Sequence, residues 1–189
     1  RCLQSIMPYA DGCFVTLTSS KEEVKEAEEI CQEFKANISY HQPLWTATQK
    51  AQRWLTEYLG YESNVRVGDK VFLFDEARNF NFSQVPKEYD YIFWIDTDDI
   101  LLNGENLWKL KEIGSQADID AFCLKYIYRA TFDTEGKIKD ILVEHIKERM
   151  LRNGVFRWIA PIHETLVASK TTNKTYLKDS LLLWHEILN

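Results

Sequence analysis

A wholly apolar run, Tyr91-Ile92-Phe93-Trp94-Ile95, passes without a spacer into Asp96-Thr97-Asp98-Asp99, and this junction constrains the chain more than any other stretch. Five large apolar residues with no polar face read as a strand buried on both sides, of the kind found centrally in α/β sheets. Three carboxylates in the next four positions repel one another unless positive charge sits between them. Ligands of open α/β sheets gather at the carboxyl ends of strands, where these aspartates would emerge. Carboxylate oxygens suit Mg2+ or Mn2+, ions that bind through one or two carboxylates together with substrate phosphates. The junction points to a divalent cation with a nucleoside diphosphate. The plainer alternative is a solvated acidic turn in which Asp98 or Asp99 caps a helix starting near Gly104.

The flanking sequence supplies elements for such a sheet. Leu3, Ile6 and Met7 share one face of a helix tail from Arg1 to Pro8, and Tyr9 to Gly12 end it. Phe14 to Thr18 reads as a strand. Ser20 stands three residues before Glu23, a capping box, and Val24, Ala27, Ile30, Cys31 and Phe34 follow at helical spacing. After a strand at Asn37 to Tyr40, Trp45, Thr48, Gln52, Leu55 and Leu59 recur with Ala51, Trp54 and Tyr58 on neighbouring faces. They predict a helix over about 44 to 60, closed by Gly60. A short helix over Ala77 to Val85 stops before Pro86, and Leu107 to Ile113 is weakly helical. Ala121 to Phe132 and Ile138 to Ile146 form a hairpin around Asp133-Thr134-Glu135-Gly136, and a final strand, Leu181 to Trp184, ends at His185.

A chain of 189 residues fits one α/β domain, spanning 1–189. Its 29 acidic and 23 basic residues give a charge of -6, which argues against a nucleic-acid partner. No apolar run approaches the roughly 20 residues of a transmembrane helix. Cys2, Cys13, Cys31 and Cys123 are scattered without a Cys-x-x-Cys pair, so a reducing, cytoplasmic setting is expected, and the sequons at Asn37, Asn81 and Asn173 read as chance matches.

Four stretches, in order, resemble family 2 of the GT-A glycosyltransferases, especially the bacterial type related to lipopolysaccharide-core and TPR-associated transferases. Arg1-Cys2-Leu3-Gln4-Ser5-Ile6 is similar to the family's first helix, and Glu76-Ala77-Arg78-Asn79 to its "EARN" helix start. Trp94-Ile95-Asp96-Thr97-Asp98-Asp99 is similar to the "lDaDe" form of the DxD motif. Arg149-Met150-Leu151-Arg152-Asn153 with Pro161-Ile162-His163-Glu164 is similar to "R-x-[FL]-R … hHE". The resemblance implies an α/β, GT-A Rossmann-like fold: a central, mostly parallel sheet flanked by helices, with a C-terminal β-hairpin region. The family's first strand would lie before Arg1, so the chain reads as part of a longer protein with that strand missing. Where the family has "DtGStD", this chain has Leu17-Thr18-Ser19-Ser20-Lys21, which leaves the nucleobase and the donor unread.

By the same resemblance, Asp96 contacts the ribose or the metal and Asp98 coordinates Mn2+ or Mg2+. Arg78 and Asn79 lie near the donor, and His163 is a further metal ligand or an acceptor-side group. Glu164 is a candidate general base, with Asp99 and Asp133 as competitors. Trp94, Trp158 and Trp184 could stack on sugar faces, although Trp94 reads as core. The implied reaction moves a sugar from a nucleotide-diphosphate sugar to a hydroxyl of a carbohydrate, lipid-linked or protein acceptor, with inversion. The alternatives are a catalytically silent GT-A-like domain that binds a sugar or a protein, and a metal-dependent nucleotidyltransferase or phosphohydrolase. The absence of a glycine-rich phosphate loop with lysine weighs against the last.

Overall fold

Local chemistry accounts for the first elements of the computed structural model, which describes residues 1–60, 64–135, 137–161, 163–177 and 182–185, without the side chains of 50, 51, 55, 58, 59 and 182. Helix α1 (Cys2–Ile6) runs into a 3-10 turn whose Pro8 cannot donate to a continuing helix. Strand β1 (Phe14–Leu17), helix α2 (Lys25–Glu33) and strand β2 (Asn37–Tyr40) form a β-α-β unit in which the two strands pair in parallel. The capping box forms in the turn before α2: the Ser20 amide donates to Glu23 at 3.1 Å, and the Glu23 amide to Ser20 Oγ at 3.4 Å.

Strand β3 (Leu44–Thr46) occupies the start of the expected helix over 44–60 and pairs antiparallel with β4 (Lys70–Phe72); helix α3 (Gln49–Leu59) begins only beyond it. Trp45 therefore sits opposite Val71, in a strand and not on a helix face. The partner strand lies too far along the chain for a local pattern to register it. Gly60 closes α3 with a φ of 73°, as the sequence predicts. The faces assigned to Ala51, Leu55, Tyr58 and Leu59 lie outside the described side chains, and Gly136, Ile162 and Leu181 lie outside the described residues. Helix α4 (Phe74–Ser83) follows β4.

The central sheet corrects the expectation of a mostly parallel arrangement. It contains β5 (Tyr91–Phe93), β6 (Asp99–Leu102), β7 (Ala121–Phe132), β8 (Ile138–Arg152) and β12 (Leu182–His185) in the order β5-β8-β7-β12-β6, and β11 (Lys174–Tyr176) also pairs with β7. The β5–β8, β7–β8 and β12–β6 ladders are antiparallel, and the β7–β12 and β7–β11 ladders are parallel. The fold is mixed α/β with a mostly antiparallel centre. The cause is the long β7–β8 hairpin: strands joined by a short turn pair antiparallel, and this pair takes the middle of the sheet.

Strand β5, expected at the centre, lies at the edge, with β8 as its sole strand partner among the described residues and all three residues only half-buried. Its outer edge and β1 line the same cleft without pairing to each other. Strands β9 (Phe156–Ile159) and β10 (Thr165–Ala168) form a separate antiparallel pair beside α4. Helix α5 (Leu107–Gln116) covers one face of the sheet, where Leu107 and Leu110 pack with Leu101, Phe122, Leu124 and Leu183. Among the described residues, no helix is long and apolar enough to cross a membrane.

At the start of β7, Asp120 is buried yet fully paired. It meets Arg152 Nε at 2.9 Å and Lys170 Nζ at 3.1 Å, and it accepts the Asn173 amide at 3.1 Å. Burial alone would raise its carboxyl, but the hydrogen bonds from Asn173, Lys170 and Arg152 outweigh it and hold the group below the usual range. A carboxylate with a lowered folded value adds stability above its ordinary value of about 3.9, and that stability is lost as pH falls through the folded value. Asp120→Asn should lower unfolding stability by about 2–3 kcal/mol at pH 7, less than a fully buried pair because Arg152 and Lys170 are partly exposed. The gap to wild type should shrink in urea titrations repeated below pH 4; an equal gap at both pH values would contradict the account.

Candidate functional site

A tight turn arranges the acidic segment. The Asp99 amide donates to the Asp96 carbonyl at 3.0 Å, and Asp99 Oδ2 accepts the Asp96 amide at 3.3 Å, closing the turn from both sides. Helix α1 braces it: Ser5 Oγ accepts the Leu101 amide at 3.0 Å, and the Cys2 thiol points at the Asp96 carbonyl. Burial, with Asp99 nearby, pushes the Cys2 thiol up to about 12, which keeps it in the neutral thiol form.

Beneath the turn lies Arg149, fully buried on β8. The β5–β8 ladder brings it opposite Trp94, whose amide bonds the Arg149 carbonyl at 3.0 Å. Its guanidinium carbon lies 3.7 Å from the Trp94 ring centroid and 4.6 Å from that of Tyr126, and Nη1 reaches Asp99 at 3.2 Å and Asp96 at 3.8 Å. Asp99 is also fully buried; its Oδ1 accepts the Tyr126 hydroxyl at 2.9 Å. Burial raises the Asp99 carboxyl, against the pull of Arg149 and the Tyr126 hydrogen bond. Burial, with Asp99 beside it, likewise raises the Tyr126 hydroxyl.

The antiparallel β6–β12 register sets His185 opposite Asp99. Its Nδ1 stands 3.4 Å from Asp99 and 3.6 Å from Asp98, yet it makes no hydrogen bond, and its ring stacks on Tyr128 with centroids 5.0 Å apart. Ligand atoms of Asp98, Asp99 and His185 all lie within 4.8 Å of one another. Such a group could hold a divalent cation, and the unbonded Nδ1 beside two carboxylates is the feature that points to one.

The other expected residues take distinct places. On α4, Arg78 bridges Asp96 and Glu164, each at 2.9 Å, with its guanidinium 5.0 Å from the Trp94 and Trp158 rings. Asn79 spends both amide groups on the Trp158 backbone, at 2.9 and 2.8 Å, and so fastens α4 to β9. His163 is exposed in a turn with a φ of 56°, outside the group formed by Asp98, Asp99 and His185. Asp133 accepts the Glu135 and Lys137 amides at the tip of the hairpin. Trp94 donates to the Glu148 carbonyl at 2.6 Å and packs edge-on against Trp158, while Trp184 packs against Phe132. Arg78, Asp96 and Thr97 line one end of a cleft of about 770 Å3 between α1, β1, α4 and β5. That volume is within the range of small-molecule sites.

No protein-family model matches the chain, and no curated protein matches it. The likeness to family 2 thus rests on the quoted motifs. His185 carried a readable signal: an apolar strand ending in a side chain of a metal-ligating type repeats the pattern at Ile95-Asp96. Arg149 stood in the motif likened to R-x-[FL]-R, but its burial beneath the acidic turn was not readable, because that follows from ladder register.

Removing Asp99 strands the Arg149 charge among aromatic rings. Asp99→Ala should lower stability by about 3–5 kcal/mol, read from the urea midpoint. Asp99→Leu with Arg149→Met should cost clearly less than the sum of the single changes; simple additivity would show that the pair is not coupled.

Proposed function

We propose that this chain forms the donor-binding part of a metal-dependent glycosyltransferase that moves a sugar from a nucleotide-diphosphate sugar to an acceptor hydroxyl. The observation that carries the proposal is the convergence of Asp98, Asp99 and the unbonded His185 nitrogen where two strand ends meet, next to a cleft that reaches Asp96. Bound there, Mn2+ or Mg2+ would neutralise charge building on the departing diphosphate. Asp98 and His185 would hold the ion, and Asp96, across the same turn, would turn to it as a further ligand. Asp99, enclosed by Arg149 and Tyr126, would position the turn rather than reach an acceptor. Glu164 would take the acceptor proton, being the carboxylate on the far side of Arg78 from Asp96. Attack from the face opposite the diphosphate inverts the anomeric carbon. The acceptor in this reading is a carbohydrate, a lipid-linked sugar or a protein. A reducing, cytoplasmic setting belongs to the same reading, since the four cysteines are free.

The Arg78 bridge favours a second reading, a silent sugar- or protein-binding domain, because it occupies both Asp96 and Glu164. Manganese-dependent hydrolysis of a nucleotide sugar separates the two. Asp98→Ala and His185→Ala should each weaken manganese-dependent binding of UDP, GDP or CDP by about 10- to 100-fold in calorimetric titration. The fold should survive Asp98→Ala, which removes an exposed side chain. Equal binding by wild type and both variants would defeat the assignment.

A further inference from the structure

Arg78 stands between two of the partly exposed carboxylates of the site, Asp96 and Glu164. Its Nη2 holds Asp96 Oδ1 and its Nε holds Glu164 Oε1, leaving little of either charge for a cation. The second oxygen of Asp96 faces Arg149 at 3.8 Å. The two arginines differ in freedom. Arg149 is sealed between Trp94 and Tyr126 with no exposure to water, whereas Arg78 keeps 24 % of its side chain exposed and lines the cleft. The helix that carries Arg78 is itself fixed, because Asn79 clamps it to the Trp158 backbone. A change of partners here needs only the Arg78 side chain to move.

A guanidinium released from two carboxylates presents a planar fork of donors that matches a phosphate. A divalent cation brought towards Asp96 gains little while a guanidinium already neutralises that carboxylate, and it is repelled by the guanidinium itself. We infer that Arg78 is an exchange latch: it pairs with Asp96 and Glu164 in the resting site and transfers to the nucleoside diphosphate when cation and nucleotide enter together. The transfer frees Asp96 towards the cation and Glu164 towards the acceptor in one movement. Cation and diphosphate consequently bind cooperatively, and the cation alone binds poorly. This rests on the metal and diphosphate reading above and adds to it an order of binding and a role for one positioning residue.

The test is titration of Mn2+, followed by the electron paramagnetic resonance of the free ion, with and without UDP, GDP or CDP. Wild type should bind Mn2+ weakly alone and about tenfold or more tightly with the matching diphosphate, within the usual range of coupling between sites. Arg78→Gln should bind Mn2+ alone about tenfold more tightly than wild type, bind the diphosphate more weakly, and lose the coupling. Arg78→Lys keeps the charge and should leave Mn2+ binding alone near the wild-type value. Asp96→Asn combined with Arg78→Gln should erase most of the gain. If wild type binds Mn2+ with diphosphate but Arg78→Gln binds Mn2+ alone no better, the latch is wrong and the metal site stands. A gain equal in Arg78→Lys and Arg78→Gln also overturns the latch, since it would reflect lost packing between Trp94 and Trp158. If wild type binds no Mn2+ with any of the three diphosphates, the latch falls together with the reading it rests on.

Discussion

Arg149 holds its charge where water cannot reach it, and the geometry of the acidic turn depends on how that charge is met. Trp94 and Tyr126 face its guanidinium, while Asp99 takes the nearest donor and Asp96 lies just beyond. A buried guanidinium without a carboxylate would be severely destabilising, and so would a buried Asp99 without a cation. Each makes the other tolerable, and together they tie the start of β6 to β8 just beyond the carboxyl end of β5. Tyr126 adds a hydroxyl to Asp99, so the carboxylate is held from two directions. The result is a rigid base beneath Asp98, which stays half exposed.

Above that base the site has a graded character. Asp99 and Arg149 are enclosed, Asp96 and Arg78 are partly open, and Asp98 is half exposed. Such a gradient separates the groups that hold the turn from those that can meet a ligand. His185 reaches the cluster from a different strand, and stacking on Tyr128 orients its ring towards the carboxylates. The trio therefore depends on the antiparallel β6–β12 ladder: a slip of one residue would turn His185 to the opposite face.

The negative charge of the cluster is only partly matched. Asp96, Asp98, Asp99 and Glu164 face Arg78, Arg149 and the nearby Lys147, whose ammonium burial and Arg149 weaken while Asp96 and Asp99 support it. The residual negative charge is the electrostatic basis of the proposed cation. Arg78 and Trp158 belong to a second layer, where α4 meets β9, and Asn79 keeps that layer in place through the backbone. The candidate site is thus assembled from α4, the turn after β5, β8, β12 and the segment before β10, elements that lie far apart in the chain.

Several of these features were legible in the residues alone. The apolar run and the aspartates that follow it predicted a strand and an acidic turn, because side-chain character over five to ten positions decides such local structure. The capping box at Ser20, the end of α3 at Gly60 and the hairpin of β7 and β8 were readable for the same reason. Tertiary structure decided the rest. The sheet became mostly antiparallel because the hairpin took its centre, and Trp45 entered a strand because Lys70–Phe72 lay ready to pair. His185 joined Asp98 and Asp99, while His163 was left in an exposed turn, because only hydrogen-bond register between distant strands determines which side chains converge.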